Sequence, residues 1–598
     1  MITPVGAAVV FVLAAGWIEV AVSMQPMPWP ESAPEVAAAI RASFRGKRQV
    51  PLPVRVRDEL GEVFADEAFV GEFGREGRPG WSPGRLALIT VLQRVGNLTD
   101  RQAAEAVVTD LTWKYALGLD LDDPGFDASV LSEFRSRVIA HELEEKPLDL
   151  LLSALQERGM LAAGGKQRTD STHAISAVRD VNRVELAGEC VRAALEALAV
   201  AAPGWVQQVL EVPGWAERYE LRVDSWRMPI FKSKQEELAR VYGADGYALV
   251  EAVYAPFSPA WLRHLPAVDV LRVMLIQHYV RSTDRRGRQV IKRRQDLDQG
   301  GEGLPPGRYR LASPYDLDTR WAAKGSELMW NGYKVHISET WHPAADAQAG
   351  TDSTGAGTRP PNLITNVATT DALVPDTAMT EVIHQHLARR GLLPAEHYLD
   401  AGYSSAELIV QARELHQMAL ITPLRSDTSV QARTRNGYDR TAFTIDWDRR
   451  QVTCPQGQRS TSWTPCRQKE QPMIVAAFPL STCRPCPVRA PAPSAAAATS
   501  PCTPRAIPET LDAARAEQAT PAWHDRYALR CGIEATIHQA VTSTGLRRAR
   551  YRGIKKVRLE HLVSAIAVNL IPLNAWWNGR PLERKRTSRL ALEPALTA

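Results

Sequence analysis

Apolar and polar residues recur along this chain with two different periods. Between residues 54 and 145, apolar side chains return every three or four positions, as one buried face of a helix requires. In segment 332–338 the period falls to two, which is typical of a half-buried strand. The apolar side of that strand is formed by Tyr333, Val335 and Ile337. A mostly helical tract, 174–311, separates these regions. The pattern predicts a helical block followed by a mixed region of strands and helices.

Local signals indicate where two of the first helices begin. Ser82 followed by Pro83 is an N-cap and first-turn pair. Thr99 and Gln102 have the spacing of a capping box. Two short helices joined by a tight turn are typical of a helix-turn-helix unit that docks on DNA. A helical bundle without DNA contacts is the alternative.

Further strands are expected in the second half of the chain. Segments 363–369, 397–399 and 419–422 are short and apolar, and a helix is expected over 382–390. This order of strands and helices predicts an α/β fold with a mixed sheet flanked by helices. Asp400 directly follows one of the strands, which is where such sheets bind ligands.

The charge of the chain is concentrated rather than large. Its 598 residues carry a net charge of +5 and are 45% hydrophobic, so several soluble globular units are expected. One window without any acid is a candidate phosphate-contacting surface. Its basic residues are Arg547, Arg548, Arg550, Arg552, Lys555, Lys556 and Arg558. A second basic cluster, 281–294, is more typical of a solvated loop.

Seven cysteines are an odd and unevenly spread set, which argues against a secreted disulfide framework and for a reducing compartment. Cys483 and Cys486 form a CxxC pair, with Cys454 upstream and Cys502 downstream. Four thiolates are a common ligand set for one Zn²⁺ ion. Reduced cysteines without a metal are the alternative.

An apolar run, 5–18, lies near the start of the chain. It is too short to span a bilayer, and no Lys or Arg precedes it, because the first basic residue is Arg41. We interpret it as translated upstream sequence, with Met24 or Met27 as the functional start. An export signal is the alternative, and it would make the protein exported or membrane-tethered, whereas the preferred interpretation involves no membrane.

Three separated acids suggest the chemistry. Asp170 lies in the polar run 167–173, Asp400 follows a strand, and Glu534 shares a helix face with Tyr527 and Arg530. Two aspartates on adjacent strands and a glutamate from a helix would form an all-oxygen cage for two Mg²⁺ ions. Such a pair of ions supports cleavage of a phosphodiester. For each acid alone, a surface carboxylate is the alternative.

Several motifs in a fixed order resemble one family. They are LTDRQAA at 98–104, WKYALGL at 113–119, RTDSTH at 168–173, GYKVH at 332–336, DAGY at 400–403 and GLRRARYRG at 545–553. From about Met24 onward the chain resembles DDE transposases of bacterial insertion sequences, in particular the group numbered eleven eighty-two.

The resemblance implies a ribonuclease-H-like core in which Asp170, Asp400 and Glu534 bind two Mg²⁺ or Mn²⁺ ions. It also places similar cysteines near 454–502. A Tyr, Arg, Glu, Lys signature of related transposases is matched by Tyr527, Arg530 and Glu534, but its Lys position is Val541. Arg547 or Arg548 could take over its phosphate contact. The expected DNA contacts are Arg530, Arg547, Arg548, Arg550, Arg552, Lys555, Lys556, Arg101 and Lys114.

The expected domain boundaries follow from these assignments. They are an N-terminal extension without structure (1–50), a helical DNA-binding domain (51–150), the first part of the catalytic domain (160–425) with a helical insertion at about 178–325, a Cys-containing β insertion (426–520), the end of the catalytic domain (521–580) and a tail (581–598).

The expected function is that of a transposase. It would bind the terminal inverted repeats of its element, cut double-stranded DNA and join the ends to target DNA, as a dimer or larger assembly in the bacterial cytoplasm, near the nucleoid. One alternative is a catalytically silent or repurposed sequence-specific DNA-binding protein. Another is a related nuclease that cuts without joining.

Overall fold

The computed structural model describes residues 22–23, 26–46, 49–72, 78–284, 286–295, 297, 300–341, 360–424, 433, 442–468, 471–486 and 506–579. The predictions for 5–18, 490–504, Cys502 and the tail 581–598 lie outside the described residues. No helix in the described ranges is long and apolar enough to cross a membrane.

The helices are α1 Pro34–Phe44, α2 Leu52–Leu60, α3 Pro83–Val95, α4 Asp100–Thr109, α5 Leu111–Leu117, α6 Ser129–Ala140, α7 Lys146–Glu157, α8 Arg183–Ala201, α9 Pro203–Val209, α10 Val212–Tyr219, α11 Lys232–Tyr254, α12 Pro266–His278, α13 Thr377–Arg389, α14 Ala406–His416, α15 Leu480–Cys483, α16 Ala506–Gln518, α17 Pro521–Ala528, α18 Ile533–Thr544 and α19 Ile554–Trp577.

The strands are β1 Val22–Ser23, β2 Arg78–Pro79, β3 Lys166–Ile175, β4 Tyr279–Thr283, β5 Gln289–Arg293, β6 Arg320–Lys324, β7 Leu328–Trp341, β8 Ile364–Asp371, β9 Glu396–Leu399, β10 Ala419–Ile421, β11 Thr444–Asp446, β12 Gln451–Thr453, β13 Ser462–Gln468 and β14 Gln471–Ala477.

The first helices begin where their capping residues predict. The Ser82 hydroxyl accepts a hydrogen bond from the backbone N–H of Arg85 at the start of α3. Thr99 and Gln102 form the reciprocal capping box of α4. Each bond satisfies a backbone donor that the first turn of a helix leaves free.

The N-terminal extension, 1–50, was expected to have no structure, but it contains helix α1. Trp29, Val36 and Ile40 are buried, and Pro34 occupies the first turn of α1, where its missing N–H costs nothing. The buried residues of α1, Val36, Ala37 and Ile40, cover less than two helical turns, which is why the periodicity alone did not separate this helix from a linker.

The central sheet is mixed, as predicted. Its main order is β10-β9-β3-β7, and β6 and β8 pair with successive parts of the other edge of β7. Strands β10, β9 and β3 are parallel, whereas β7 runs antiparallel to β3, β6 and β8. The parallel strands carry the two predicted aspartates.

Strand β7 differs from the half-buried strand that its alternation predicts. Tyr333, Val335 and Ile337 are buried on one face, but His336 and Ser338 on the other face are fully buried as well. His336 Nδ1 lies 2.6 Å from the Tyr403 hydroxyl oxygen. The polar face is therefore covered, and its side chains bond to one another rather than to water.

One hydrophobic core joins the N-terminal helices to the sheet. It contains residues of α2 to α7, of β7 and β8, and of α18 and α19. A buried ion pair, with 2.6 Å between Arg94 Nη2 and Glu560 Oε1, crosses the contact between α3 and α19. The helices of 51–150 therefore share their core with the sheet instead of forming one of their own.

The two insertions are built differently. The helical insertion has a separate core formed mainly by α8, α11 and α12. The basic cluster 281–294, expected as a loop, lies mostly on the antiparallel hairpin β4–β5. In the Cys-containing insertion the described strands form two further hairpins, β11–β12 and β13–β14.

Candidate functional site

Asp170 and Asp400 lie side by side on neighbouring strands. In the parallel pair β3–β9 the last register partners are Thr169 and Leu399, and each aspartate is the next residue of its chain. Directly opposed residues of parallel strands project to the same face of the sheet. Each carboxylate also accepts a hydrogen bond from the following backbone N–H, at 2.8 Å for Asp170 and 2.7 Å for Asp400.

A guanidinium group contacts this acidic pair. The Nη2 atom of Arg530 lies 2.8 Å from Oδ2 of Asp170, and the Arg530 side chain is only 13% exposed. Burial raises the pKa of the Asp170 carboxyl above its usual value, the charge of Arg530 opposes that rise, and the charge of Asp400 adds to it. A site that is partly buried and doubly acidic favours a bound cation.

Tyr527 completes this side of the pair. Its ring stacks on that of Trp523, with centroids 4.9 Å apart and planes inclined by 11°. Burial raises the pKa of the Tyr527 hydroxyl to about 12, and the charges of Asp400 and Asp170 contribute to the rise. Tyr527 and Arg530 therefore lie next to the two aspartates, although they belong to different elements and not to one helix face.

The predicted glutamate helix is divided by a tighter turn. Helix α17 ends at Ala528, Leu529–Gly532 form a 3-10 turn, and α18 begins at Ile533. The Leu529 carbonyl in this turn accepts a hydrogen bond from Arg168 Nη1 at 2.8 Å. Arg168 lies two residues before Asp170 on β3, so the turn is attached to the strand that carries the first aspartate.

Glu534 lies in the first turn of α18 and is exposed. Ile533, Ile537 and Ala540 of the same helix are buried in the main core, which sets the rotation of α18. The carboxylate is therefore on the solvent side of a helix that is anchored beside the aspartate pair. The carboxylate oxygens of Asp170, Asp400 and Glu534 do not all lie within 4.8 Å of one another.

The donor set of these acids fits a hard divalent cation. Asp170 and Asp400 offer carboxylate oxygens on the same face of the sheet, and such oxygens are the ligands that Mg²⁺ prefers. Within the described ranges, the Asp170 carboxylate bonds to the backbone N–H of Ser171 and to Arg530, and to no imidazole or thiol. The cation that contacts Asp170 here is the side chain of Arg530.

Most of the predicted DNA contacts are exposed: Arg101, Arg547, Arg548, Arg550, Arg552, Lys555 and Lys556. Arg550 Nη1 donates to the Leu98 carbonyl at 2.8 Å, and its Nη2 bonds to Asn97. The basic window therefore adjoins the turn between α3 and α4.

Lys114 does not fit the predicted set of DNA contacts. Its side chain is buried, and its ammonium group donates to the backbone carbonyls of Asp120 and Asp123, each at 3.1 Å. A buried ammonium already bonded in this way has no access to a phosphate. A lysine in a helix is normally solvated, so the sequence carried no signal of this burial.

The predicted zinc ligands do not come together. Cys454, Cys483 and Cys486 are free thiols, and they do not form a group with mutual distances within 4.8 Å in the described ranges. Cys502 lies outside the described residues.

Two groups of side chains were not predicted from the sequence, one at the site and one elsewhere in the fold. Arg168 and Glu339 form an ion pair with 2.6 Å between Nε and Oε1, and their side chains are 6% and 1% exposed. Glu381, His384 and His416 form a close cluster of metal-ligating groups. Arg168 could have been noticed, because it shares a strand face with Asp170, but its partner is 171 residues away.

Two family models match parts of the chain. A family model described as a transposase DDE domain matches residues 453–573, which include Glu534 and α18. A model described as a transposase domain (DUF772) matches residues 45–137, which include α2 to α5. A search of curated proteins found no match to the chain. The two family matches indicate a DDE-type transposase family for this chain.

Proposed function

We propose that this protein binds the terminal inverted repeats of an insertion sequence and catalyses metal-dependent DNA cleavage and strand transfer. The observation that carries the proposal is that Asp170 and Asp400 each directly follow the last register pair, Thr169 and Leu399, of two parallel strands, beside the anchored helix of Glu534. The strand order, with three parallel strands followed by β7, which is antiparallel to both β3 and β8, supports a ribonuclease-H-like core. The motifs favour the group numbered eleven eighty-two within the family.

Asp170, Asp400 and Glu534 would hold two Mg²⁺ or Mn²⁺ ions. When bound, such ions activate the attacking hydroxyl and neutralise charge on the phosphate. Arg530 opposes the rise that burial causes in the pKa of Asp170, since its guanidinium stabilises the charged carboxylate. Thr172, on the same face of β3, accepts a hydrogen bond from Arg547 Nε at 2.9 Å. This bond holds one of the exposed arginines close to Asp170.

The DNA would follow the basic window. Arg550 ties this window to the turn between α3 and α4, so the exposed residues Arg101, Arg547 and Arg548 belong to adjoining segments. Basic side chains on adjoining segments suit the phosphates of a duplex. Synapsis of two ends implies a dimer or larger assembly, and the bacterial cytoplasm is the compartment in which the element's DNA lies.

Cleavage of repeat DNA by an Asp400→Asn variant tests the proposal. The wild type should nick DNA carrying its terminal repeat in Mg²⁺, and EDTA should abolish the reaction. Asp400→Asn should bind the repeat normally but cut it at least about 100-fold more slowly, as expected when a charged ligand of a catalytic metal is removed. Asp525→Asn, an exposed aspartate of α17, is the matched control.

Two outcomes would favour the alternatives. Repeat binding by the wild type without any Mg²⁺-dependent nicking would indicate a silent DNA-binding protein. Nicking without joining of precut ends to a target plasmid would indicate a nuclease. Equal cutting by Asp400→Asn and the wild type would remove Asp400 from the active site.

A further inference from the structure

Glu381, His384 and His416 meet between two helices on the side of the sheet opposite Asp170. Glu381 and His384 are three residues apart on α13, and His416 is the last residue of α14. His416 Nε2 lies 3.2 Å from both carboxylate oxygens of Glu381, and His384 Nδ1 lies 4.0 Å from Glu381 Oε2. We propose that these three side chains bind a Zn²⁺ ion, at a site separate from the carboxylates of the proposed active site.

The distances suit zinc coordination. Zn²⁺ binds imidazole nitrogen and carboxylate oxygen at about 2.0–2.2 Å, so neighbouring tetrahedral ligands lie roughly 3.3 Å apart. The pair of His416 and Glu381 already has this separation, and His384 needs to approach by under about 1 Å. Two histidines and one carboxylate leave a fourth position for water, as in many zinc sites with three protein ligands.

His384 has a hydrogen-bond partner at its second ring nitrogen, as metal-binding histidines usually do. His384 Nε2 lies 3.1 Å from His397 Nδ1, and His397 Nε2 lies 2.7 Å from the hydroxyl oxygen of Thr169. That hydroxyl oxygen lies 2.6 Å from the hydroxyl oxygen of Ser338. Ligating histidines typically donate their second ring N–H to such a partner, which fixes the ring and its tautomer.

A metal ion at His384 Nδ1 would fix the donor and acceptor of each hydrogen bond from His384 to Ser338. The Nε2–H of His384 would donate to His397, the Nε2–H of His397 to Thr169, and the hydroxyl of Thr169 to Ser338. His397 and Thr169 would then each donate once and accept once, so both ring nitrogens of His397 and the Thr169 hydroxyl would have partners. Thr169 immediately precedes Asp170 on β3, so the zinc site would brace the active-site strand from its opposite face.

Burial and charge agree with a metal ligand set. The His384 side chain is 1% exposed, those of His416 and Glu381 are 11% and 22% exposed, and the cluster is therefore open on one side. Burial lowers the pKa of His384 to about 3, so its imidazole is neutral and has a free lone pair. Gln385 donates to Glu381 Oε1 at 3.0 Å and orients the carboxylate.

The experiment measures bound zinc in the full-length protein. A Cys483→Ser/Cys486→Ser background removes the thiolates that would compete for the metal. Protein stripped with a chelator is reloaded with Zn²⁺, freed of excess metal by gel filtration and analysed for zinc per chain. Glu381→Gln and His416→Ala are the test variants, and Glu407→Gln and His264→Ala, both at exposed positions, are the matched controls.

The background protein and both controls should retain about one more zinc ion per chain than either test variant. Zinc should also raise the thermal midpoint of the background protein, and that rise should be lost in Glu381→Gln, whose amide replaces the carboxylate with little change of shape. Co²⁺ loading should give the visible absorption of a tetrahedral nitrogen and oxygen site without a thiolate band. Equal zinc in all proteins, or a background protein without that Co²⁺ spectrum, would overturn the proposal; weak binding at the Asp170 site would be the same in every variant.

Discussion

Gly532 sets how closely the segment that carries Glu534 approaches the sheet. A Cβ atom at this position would lie 2.0 Å from Nη1 and 2.5 Å from Cζ of Arg168. The backbone of Gly532 is helical, so space rather than conformation requires the glycine. Arg168 has little freedom to move away, because Glu339 and the Leu529 carbonyl hold its guanidinium.

Gly532→Ala should therefore destabilise the protein by about 1–3 kcal/mol, the usual cost of an overpacked core position. It should also slow repeat cleavage, because the turn before Glu534 is pushed off β3. Urea unfolding and the nicking assay measure the two effects. Gly204→Ala is the control, since no neighbouring atom lies within 4 Å of its added Cβ. Equal unfolding midpoints for both variants would contradict the close contact at Gly532.

His561 gives the stability a defined dependence on pH. It is buried in α19, its Nδ1 lies 2.8 Å from the Thr369 hydroxyl oxygen, and burial lowers its pKa to about 3. Between pH 6.5 and 3 the unfolded chain thus binds the proton more strongly than the folded chain. The free energy of unfolding should fall as the pH drops through this window, by about 2 kcal/mol from this group at pH 5.

Denaturant unfolding of His561→Gln and of the wild type between pH 7 and 5 checks this expectation. The variant should lose less stability on acidification, and the difference should grow as the pH falls below 6.5. His264→Ala, which removes an exposed histidine, should follow the wild type. Parallel curves for all three proteins would show that His561 takes up no proton on unfolding.

At the level of elements, the Arg168–Glu339 pair links three of them. Arg168 is on β3, Glu339 is on β7, and the Thr536 hydroxyl of α18 donates to Glu339. Both charges are almost completely buried, so each depends on the other for its stabilisation. The pair thereby fixes α18 against the two longest strands of the sheet.

Arg168→Met should destabilise the protein by about 3–5 kcal/mol, because it leaves the Glu339 carboxylate buried and unpaired. The double variant Arg168→Met/Glu339→Leu should recover most of that loss, since neither charge then remains. Chemical unfolding of the four proteins of this cycle gives the coupling. A double variant that is as unstable as Arg168→Met alone would argue against an uncompensated charge as the cause.

The elements themselves were largely predictable, and their contacts were not. Alternation and capping residues predicted β7, β8 and α4, because these signals are local in sequence. The position of Asp400 after a strand was also a local signal, whereas its approach to Asp170 was expected only from the set of three acids and from the family resemblance. The break in the glutamate helix was missed, because it follows from Arg168, which is 361 residues from Leu529. Such distant pairs leave no periodic signal in a single sequence.

On the scale of the whole molecule, the shared core brings the N-terminal helices and the basic window together. The buried Arg94–Glu560 pair and the bond from Arg550 to the Leu98 carbonyl both cross this contact. The sequence predicted the helices but treated them as a separate domain, since hydrophobic periodicity shows which face is buried and not what covers it. The proposed DNA-binding surface would therefore span both segments.

The salt dependence of DNA binding can locate that surface. Lys555→Ala/Lys556→Ala should weaken binding to any DNA and reduce the slope of log affinity against log salt by up to about 2, if both lysines meet phosphates. Arg286→Ala/Lys292→Ala, which removes two exposed charges around the β4–β5 hairpin, should leave the slope unchanged. Fluorescence anisotropy over a salt series measures both. The opposite pattern would place the DNA on the helical insertion.

The register of the sheet has a consequence for how such a chain can be rebuilt. Ile175 at the end of β3 and Arg320 at the start of β6 both align with Gly332, on opposite edges of β7. With strands 4.7–4.9 Å apart, these two points are roughly 10 Å from each other. The segment between them, 176–319, therefore leaves the sheet and returns to it at two nearby points, and a linker of three or four residues could join these points directly. This segment can thus be exchanged, shortened or acquired while the strand order of the sheet stays the same.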